Sequence, residues 1–394
     1  MRYLILTIRY GQPGSSSSAF IETRVNELIL AGHDITIITQ YQSQKDINKS
    51  IDIIVLNSLI NTLLTSIFNK IERIILKYIQ LYHTFHNKSA YWKWHYLVYK
   101  YLIKSKVNLN NFDFIYSTGG SPVVHIAAYE IANKYKVKWI AELQDPLIFE
   151  GLCPPSYLLS RHDYKMLSYT EELLKNADAI ICLTKACRDY YKKRLNTNKV
   201  YYIYPGSNIK SKRERASIRK ITTSKLVLIH TGSLTGTRNI AVLLKVIQDY
   251  NFQDNIQINL AGWINDSIYK EISNNKMVSF LGMLDTNKMI EEIYNADAAL
   301  VIQHKEPISA LTIPGKFYEY LSLGVPIIFL GYKNKEAEYN STILNYYYAD
   351  QDSPKDIYNL LVNIFRNKDK LKIPLPIASK KAAEQFIKLS NSLK

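Results

Sequence analysis

The sequence predicts an α/β protein of two doubly wound domains, and three observations predict it. The chain has 394 residues, more than one hydrophobic core usually supports. Apolar strand-like runs alternate with helix-like segments along both halves, the pattern of a parallel sheet. Each half also opens the same way, with a strand followed by a glycine-containing loop. The tetrapeptide Asn-Ala-Asp-Ala adds a weak echo, preceding a strand at 176–179 and again at 295–298.

In the first half, residues 3–8 form an apolar run stopped by Arg9 and read as a strand. A Gly/Pro/Ser loop follows over 11–18, then a helix to about Ala31, which Gly32 ends, and a strand over 34–39. This βαβ opening puts a polar loop at the carboxyl end of the first strand, where open α/β sheets bind ligands. The alternation continues with strands at 114–117, 138–143, 179–183 and 200–204 and helices at 121–135 and ending at 171–176. The second half supplies strands at 225–230, 256–261, 278–281, 298–302 and 325–330, with a helix over about 239–250 after the loop 231–238. The domains read as 1–206, then a basic polar linker over 207–224, then 225–375, with a C-terminal helix in 376–394 returning to the first domain.

Residues 59–106 interrupt this order. Leu63, Ile67, Ile71, Ile74 and Tyr78 recur at helical spacing, and eight Lys and Arg stand against Glu72 alone. A basic helix rich in Trp and Tyr suits a lipid interface. A helical pair laying its apolar stripe on the domain core would carry the same pattern.

Composition narrows the classes. The longest uncharged run, 53–69, is broken by Asn57, Asn61 and Thr65, and the apolar start before Arg9 is too short for a signal core or a span. A cytosolic protein is expected, with Cys153, Cys182 and Cys187 as reduced thiols lacking metal-type spacing. The net charge is +16, of which residues 1–220 carry +14 (31 basic against 17 acidic), so an anionic surface or acceptor is expected for the first half. Nucleic acid fits that charge too, but no recognisable motif supports it.

The most informative stretch is 311–328. Pro314-Gly315 starts a helix, Lys316 adds a positive charge, Glu319 follows one turn on, and Gly324-Val325-Pro326 leads into a buried strand. Free N–H groups at a helix start favour an anion, and a carboxylate one turn later can accept from two hydroxyls, so the stretch could form a phosphate-and-ribose site. A plain helix cap would read the same way.

With that helix in the second of two such halves, nearly the whole chain resembles the B-type glycosyltransferases. More narrowly it resembles the retaining group 1 enzymes, glycosyltransferase family 4, of bacterial surface-polysaccharide synthesis. The motifs in register are the loop 11–18, the run 31–39, Ile140-Ala-Glu-Leu-Gln-Asp-Pro146, Thr231-Gly-Ser-Leu234 with Arg238-Asn239, and 311–328. The resemblance implies two Rossmann-like domains facing across a cleft (GT-B) and transfer of a sugar from a nucleotide diphosphate to an acceptor hydroxyl with retention. It implies no cofactor, since cations and helix N-termini can stabilise the leaving diphosphate without a metal.

By resemblance, Arg238 stands near the diphosphate in place of a Lys, Gly232 and Ser233 line the diphosphate loop, and Glu319 holds the ribose. Thr312, Gly315 and Lys316 meet the diphosphate or sugar, and Gly262 and Gly282 border the base. Gly14, Ser15 and His125 fall on the acceptor side. Asp145, with Arg238 the expected catalytic pair, would orient the acceptor hydroxyl or act as a weak base.

The departures are Leu311 where a paired glutamate is usual, Ser233 for a common Arg, and Gln144 near the usual His; Glu306 is the nearest upstream acid. The expected partners are therefore a nucleotide sugar, a lipid-linked glycan and, through the basic half, the inner face of an anionic membrane, with no nucleic acid. A nucleotide-sugar 2-epimerase on the same fold, or an inactive partner of another transferase, are the rival readings. Asp350-Gln-Asp352, the only Asp-x-Asp, reads as a surface turn.

Overall fold

The computed structural model describes residues 1–12, 15–40, 51–56, 94, 97–98, 101–102, 107–147, 161–206, 225–367, 370–375 and 379–394. Gly14, Cys153, the linker 207–224 and most of the segment 59–106 lie outside them. The chain divides into two compact units, Met1–Gly206 with Ser379–Lys394, and Ser207–Ala378.

The first unit runs β1 (Arg2–Leu6), α1 (Ser16–Leu30), β2 (Asp34–Thr39), β3 (Ile51–Val55), β4 (Phe114–Gly119), α2 (Pro122–Tyr135), β5 (Lys138–Leu143), α3 (Arg161–Leu174), β6 (Ala179–Cys182), α4 (Lys185–Leu195) and β7 (Val200–Tyr202). Its seven strands lie in the order β3-β2-β1-β4-β5-β6-β7. The second unit runs β8 (Leu226–Thr231), α5 (Ala241–Asp249), β9 (Ile256–Ala261), α6 (Asp266–Ile272), β10 (Val278–Gly282), α7 (Thr286–Asn295), β11 (Ala298–Ile302), α8 (Gly315–Leu323), β12 (Ile327–Gly331), α9 (Lys335–Ile343), β13 (Tyr347–Asp350) and α10 (Pro354–Arg366). Its six strands lie in the order β10-β9-β8-β11-β12-β13. The described strand pairs are all parallel.

Continuous apolar runs explain the central strands. Residues 298–302 and 327–331 are buried throughout, as strands covered on both faces must be. Local chemistry sets several helix starts: Ser15 accepts from the Ser18 N–H, Thr184 from Cys187, and Asp285 from Asn287 and Lys288. In each sheet the order reverses between two strands, β1 and β4 in one and β8 and β11 in the other. Those switch points open crevices at the strand carboxyl ends, where such sheets take their ligands.

Helix α11 (Ser379–Leu393) packs along α1 and completes the first unit. Phe386 is fully buried, with its ring 4.9 Å from Tyr116 and 5.8 Å from Tyr3. Arg24 lies beneath it, guanidinium 5.2 Å from the ring, and donates to the carbonyls of Ala382 (2.9 Å) and Tyr204 (3.4 Å) and to Glu142 (3.3 Å). Thr118 donates to the other Glu142 oxygen at 2.8 Å.

Of the basic aromatic segment, the described side chains Trp94, Val98 and Leu102 are buried, four residues apart, as a core-facing helical stripe would be. Among the described residues no helix is long and apolar enough to cross a membrane. Cys182 and Cys187 are buried free thiols, and burial pushes the Cys182 thiol well above its usual range.

Candidate functional site

The second unit's switch point is shaped by two strands that part. β8 and β11 pair through Leu228–Ala298 and Ile229–Ala299 and then diverge. Side chains take over the freed ladder groups. The Thr231 N–H donates to the Tyr320 hydroxyl at 3.0 Å, and the His230 ring, through Nδ1, donates to the Leu300 carbonyl at 2.8 Å. The crevice between the strands is thus lined by His230 and closed from α8 by Tyr320, which is fully buried.

Glycines bring the neighbouring strand ends together. Gly232 (φ +138°) donates to Ala261 O at 2.7 Å, and Gly262 (φ +135°) donates to Gly282 O at 2.8 Å. A Cβ on Gly262 would lie 2.3 Å from the Gly232 carbonyl oxygen, so main chain passes against main chain and no side chain fits. The loop after Gly232 is then pinned to the loop after β9, Leu234 N–H to Trp263 O at 3.0 Å and Asn265 N–H to Leu234 O at 3.0 Å.

Arg238 is held within this loop, its Nη1 donating to Ser233 O at 3.4 Å. Beside it, Thr237 Oγ1 accepts from the Lys305 N–H (3.0 Å) and donates to buried Glu306 (3.2 Å), with His304 Nδ1 at 3.4 Å. Glu306, five residues before Leu311, therefore places a carboxylate against the residue next to Arg238.

Helix α8 begins at Gly315 behind the capping residue Pro314, and Gly324 in the left-handed region ends it. Lys316 sits in the first turn, where the helix dipole repels a cation, and Glu319 compensates it at 2.8 Å. An anion at this helix start would be welcomed by the N–H groups of the first turn and by Lys316. The approach to the helix is fixed by two buried amides: Gln303 Nε2 donates to Thr312 O (2.7 Å) and Ser309 O (3.2 Å), and Asn334 Nδ2 reaches the same carbonyls at 2.8 Å each.

The structure thus gathers Gly232, Ser233, Arg238, Gly262 and Gly282 at adjoining strand ends, and Thr312, Gly315, Lys316 and Glu319 on α8 and its approach. Sequence reasoning missed His230, Tyr320, Gln303 and Asn334. A polar residue ending the apolar run 226–229 was the one available signal for His230. Asp352 pairs with Lys305 at 2.5 Å and Asp350 accepts from the Asp352 and Lys333 N–H groups, which makes the Asp-x-Asp a local turn. No cluster of metal-ligating side chains occurs among the described residues.

In the first unit, Asp145 is exposed in the turn after β5, and Gln144 donates to Ser17 O at 3.4 Å. Ser15 caps α1. His125 is fully buried: Ser117 Oγ accepts from Trp139 Nε1 at 2.8 Å and lies 2.9 Å from His125 Nδ1. Thr7 Oγ1, at the β1–β4 switch point, is buried with no hydrogen-bond partner among the described residues.

Burial pulls His125, His230 and His304 down to about 4, with Arg238 adding to the effect on the last two and Lys316 on His230. Above pH 6.5 both folded and unfolded chains hold these rings neutral. Between 6.5 and 4 only the unfolded chain takes up their protons, so stability falls as the pH falls. Thermal unfolding midpoints at pH 7.5, 6 and 5 should decline steadily, and His125→Gln should flatten the decline.

No family model matches the sequence, and no curated relative does. Solved structures do match. Anabaena HepE in complex with UDP-glucose superposes with a TM-score of 0.59 at 13% identity, covering 100% of this chain and 98% of that one. TarM, known from S. aureus, gives 0.64 at 11% identity over 99% and 98%. WaaG, a glycosyltransferase involved in lipopolysaccharide biosynthesis, gives 0.60 at 13% over 99% and 98%. The fold is GT-B. Its two Rossmann-like units are the seven- and six-stranded parallel sheets described above.

Proposed function

We propose that the protein is a glycosyltransferase that moves a sugar from a nucleotide diphosphate to a lipid-linked glycan during surface-polysaccharide synthesis. The observation that carries this reading is the second unit's switch point, where Arg238, Lys316 and the start of α8 surround a place for an anion beside Glu319. HepE, of the same fold, is known with UDP-glucose bound, and WaaG acts in lipopolysaccharide biosynthesis.

In this reading the diphosphate lies on the first-turn N–H groups of Gly315 and Lys316 and against Arg238. These groups oppose the charge that grows on the leaving oxygen as the glycosidic bond breaks, and they are in place before it does. No metal is required for that step. Lys316 turns from Glu319 towards phosphate and frees the carboxylate for the ribose hydroxyls. Gly262 and Gly282 leave room for the base. Asp145 orients the acceptor hydroxyl, transfer proceeds with retention, and the basic first unit works at the inner face of the membrane. Glu306 does not take the place of an acid at Leu311, but its buried carboxylate, which accepts from Thr237 beside Arg238, keeps an acid next to the diphosphate loop and favours an active enzyme over an inactive partner.

The test is a thermal-shift and hydrolysis screen of the purified protein with UDP-, GDP-, CMP- and dTDP-sugars. One donor is expected to stabilise the wild type, with affinity lost at least tenfold in Arg238→Ala and Glu319→Ala, the scale of one charge-assisted hydrogen bond. No shift with any donor would remove the transferase reading.

A further inference from the structure

The His230 ring carries an unused acceptor into the anion site. Leu300 O can only accept, so Nδ1 must hold the ring hydrogen, and the neutral ring presents a lone pair at Nε2. That atom is buried and has no hydrogen-bond partner among the described residues. Its direction is known from its neighbours: the point where a Gly232 side chain would begin is 3.8 Å from Nε2 and 3.7 Å from Lys316 Cε. The space that glycine leaves open is therefore bounded by Nε2, the Gly232 main chain and the Lys316 stem, at the start of α8.

A buried lone pair is a poor neighbour for a phosphate oxygen, since both only accept. The groups around the ring explain why it is neutral in the free protein. Arg238 from the 233–238 loop and Lys316 from α8 both repel a proton, and burial does so more strongly. Glu319 is engaged by Lys316, the Tyr320 hydroxyl is bonded to Thr231, and β11 contributes only the Leu300 carbonyl. A sugar nucleotide brings two negative charges to this point. At contact distance in a partly buried site, that raises proton affinity by several powers of ten.

We propose that His230 is a proton-linked phosphate ligand: the diphosphate binds together with one proton from solvent, which forms Nε2–H and donates to a phosphate oxygen. The proposal rests on the donor reading above and deepens it. It also gives the site a cation that exists only when the ligand does, so no third fixed charge has to be accommodated beside Arg238 and Lys316. As charge grows on the departing diphosphate, the same N–H bond strengthens.

The test is titration calorimetry of the full chain with UDP-glucose, GDP-mannose and dTDP-glucose near pH 7, in MOPS and in Tris. The diphosphate diesters of these probes do not titrate near neutrality, so buffer-dependent heat counts protons taken up by the protein. For the probe that binds, uptake approaching one proton is expected, with affinity falling up to about tenfold per pH unit as the pH rises. In His230→Gln, which keeps a neutral donor, binding should persist with no uptake and no such slope. Binding to the wild type without uptake, or uptake unchanged in His230→Gln, overturns the proposal while leaving the donor reading intact. If none of the three binds, the donor that stabilises the protein in the thermal-shift screen takes their place, and a screen with no stabilising donor removes both readings. The wild-type proton count stands even if the variant folds poorly.

Discussion

Gly262→Ala is expected to lower stability by about 3 kcal/mol or more and to abolish nucleotide binding. Two effects add. A non-glycine residue at φ +135° is strained by itself, and the new Cβ would sit 2.3 Å from the Gly232 carbonyl oxygen and 2.7 Å from its carbon. The obstructing atoms are main chain, so no side chain can swing away. The Gly232 N–H to Ala261 O bond must lengthen or break, and the 233–238 loop with Arg238 moves with it. Gly282→Ala is the control: φ is +68° and nothing lies within 4 Å of the added carbon, so only the left-handed backbone penalty of about 1–2 kcal/mol applies. Urea unfolding and donor thermal shift on the two variants should separate them clearly. Equal losses would mean that the packing of the two glycine turns is not what holds the site.

Arg24→Ala is the second large expectation. Its side chain is 2% exposed and that of Glu142 3%, so the substitution leaves a buried carboxylate that has lost its cation and keeps the neutral Thr118 hydroxyl as a donor. Breaking such a pair from one side costs about 3–5 kcal/mol, whereas replacing both partners with groups of similar shape often costs far less. Arg24→Met combined with Glu142→Gln should therefore recover much of what Arg24→Ala loses. Arg24 also ties down Ala382 and Tyr204 and lies under Phe386, so the loss should be felt locally. Amide exchange in α11 should quicken in Arg24→Ala before the rest of the first unit responds. Unchanged protection there would show that the helix is held by its apolar face alone.

The two parallel sheets were legible because their central strands are apolar runs separated by helices with clear stops, such as Gly32 and Gly324. The edge strands β7 and β10 were legible too, at 200–204 and 278–281, but the other two edges, β3 and β13, were not. β3 contains Asp52, and β13 is the short run Tyr347-Tyr348-Ala349-Asp350, without the branched residues that mark a strand. The candidate site divides in the same way. Lys316 and Glu319 stand one turn apart on a single helix, so spacing alone brings them together. His230 and Tyr320 acquire their positions only where β8 and β11 part, and Gln303 and Asn334 only where β11 and the loop after β12 meet the turn at 309–312. Those meetings join residues far apart in sequence, which no local pattern records.

The first unit begins with β1 but is completed by α11, whose Phe386 fills the space beside Tyr3 and Tyr116. During synthesis, the seven-stranded sheet must therefore wait while the whole second unit is translated. At elongation rates of about 5–20 residues per second, that delay is on the order of ten seconds or more. Over that interval the face awaiting Phe386 and the buried Arg24–Glu142 pair are uncovered, while the second unit, contiguous in sequence, is free to fold as it emerges. The half of the molecule made first is the half finished last.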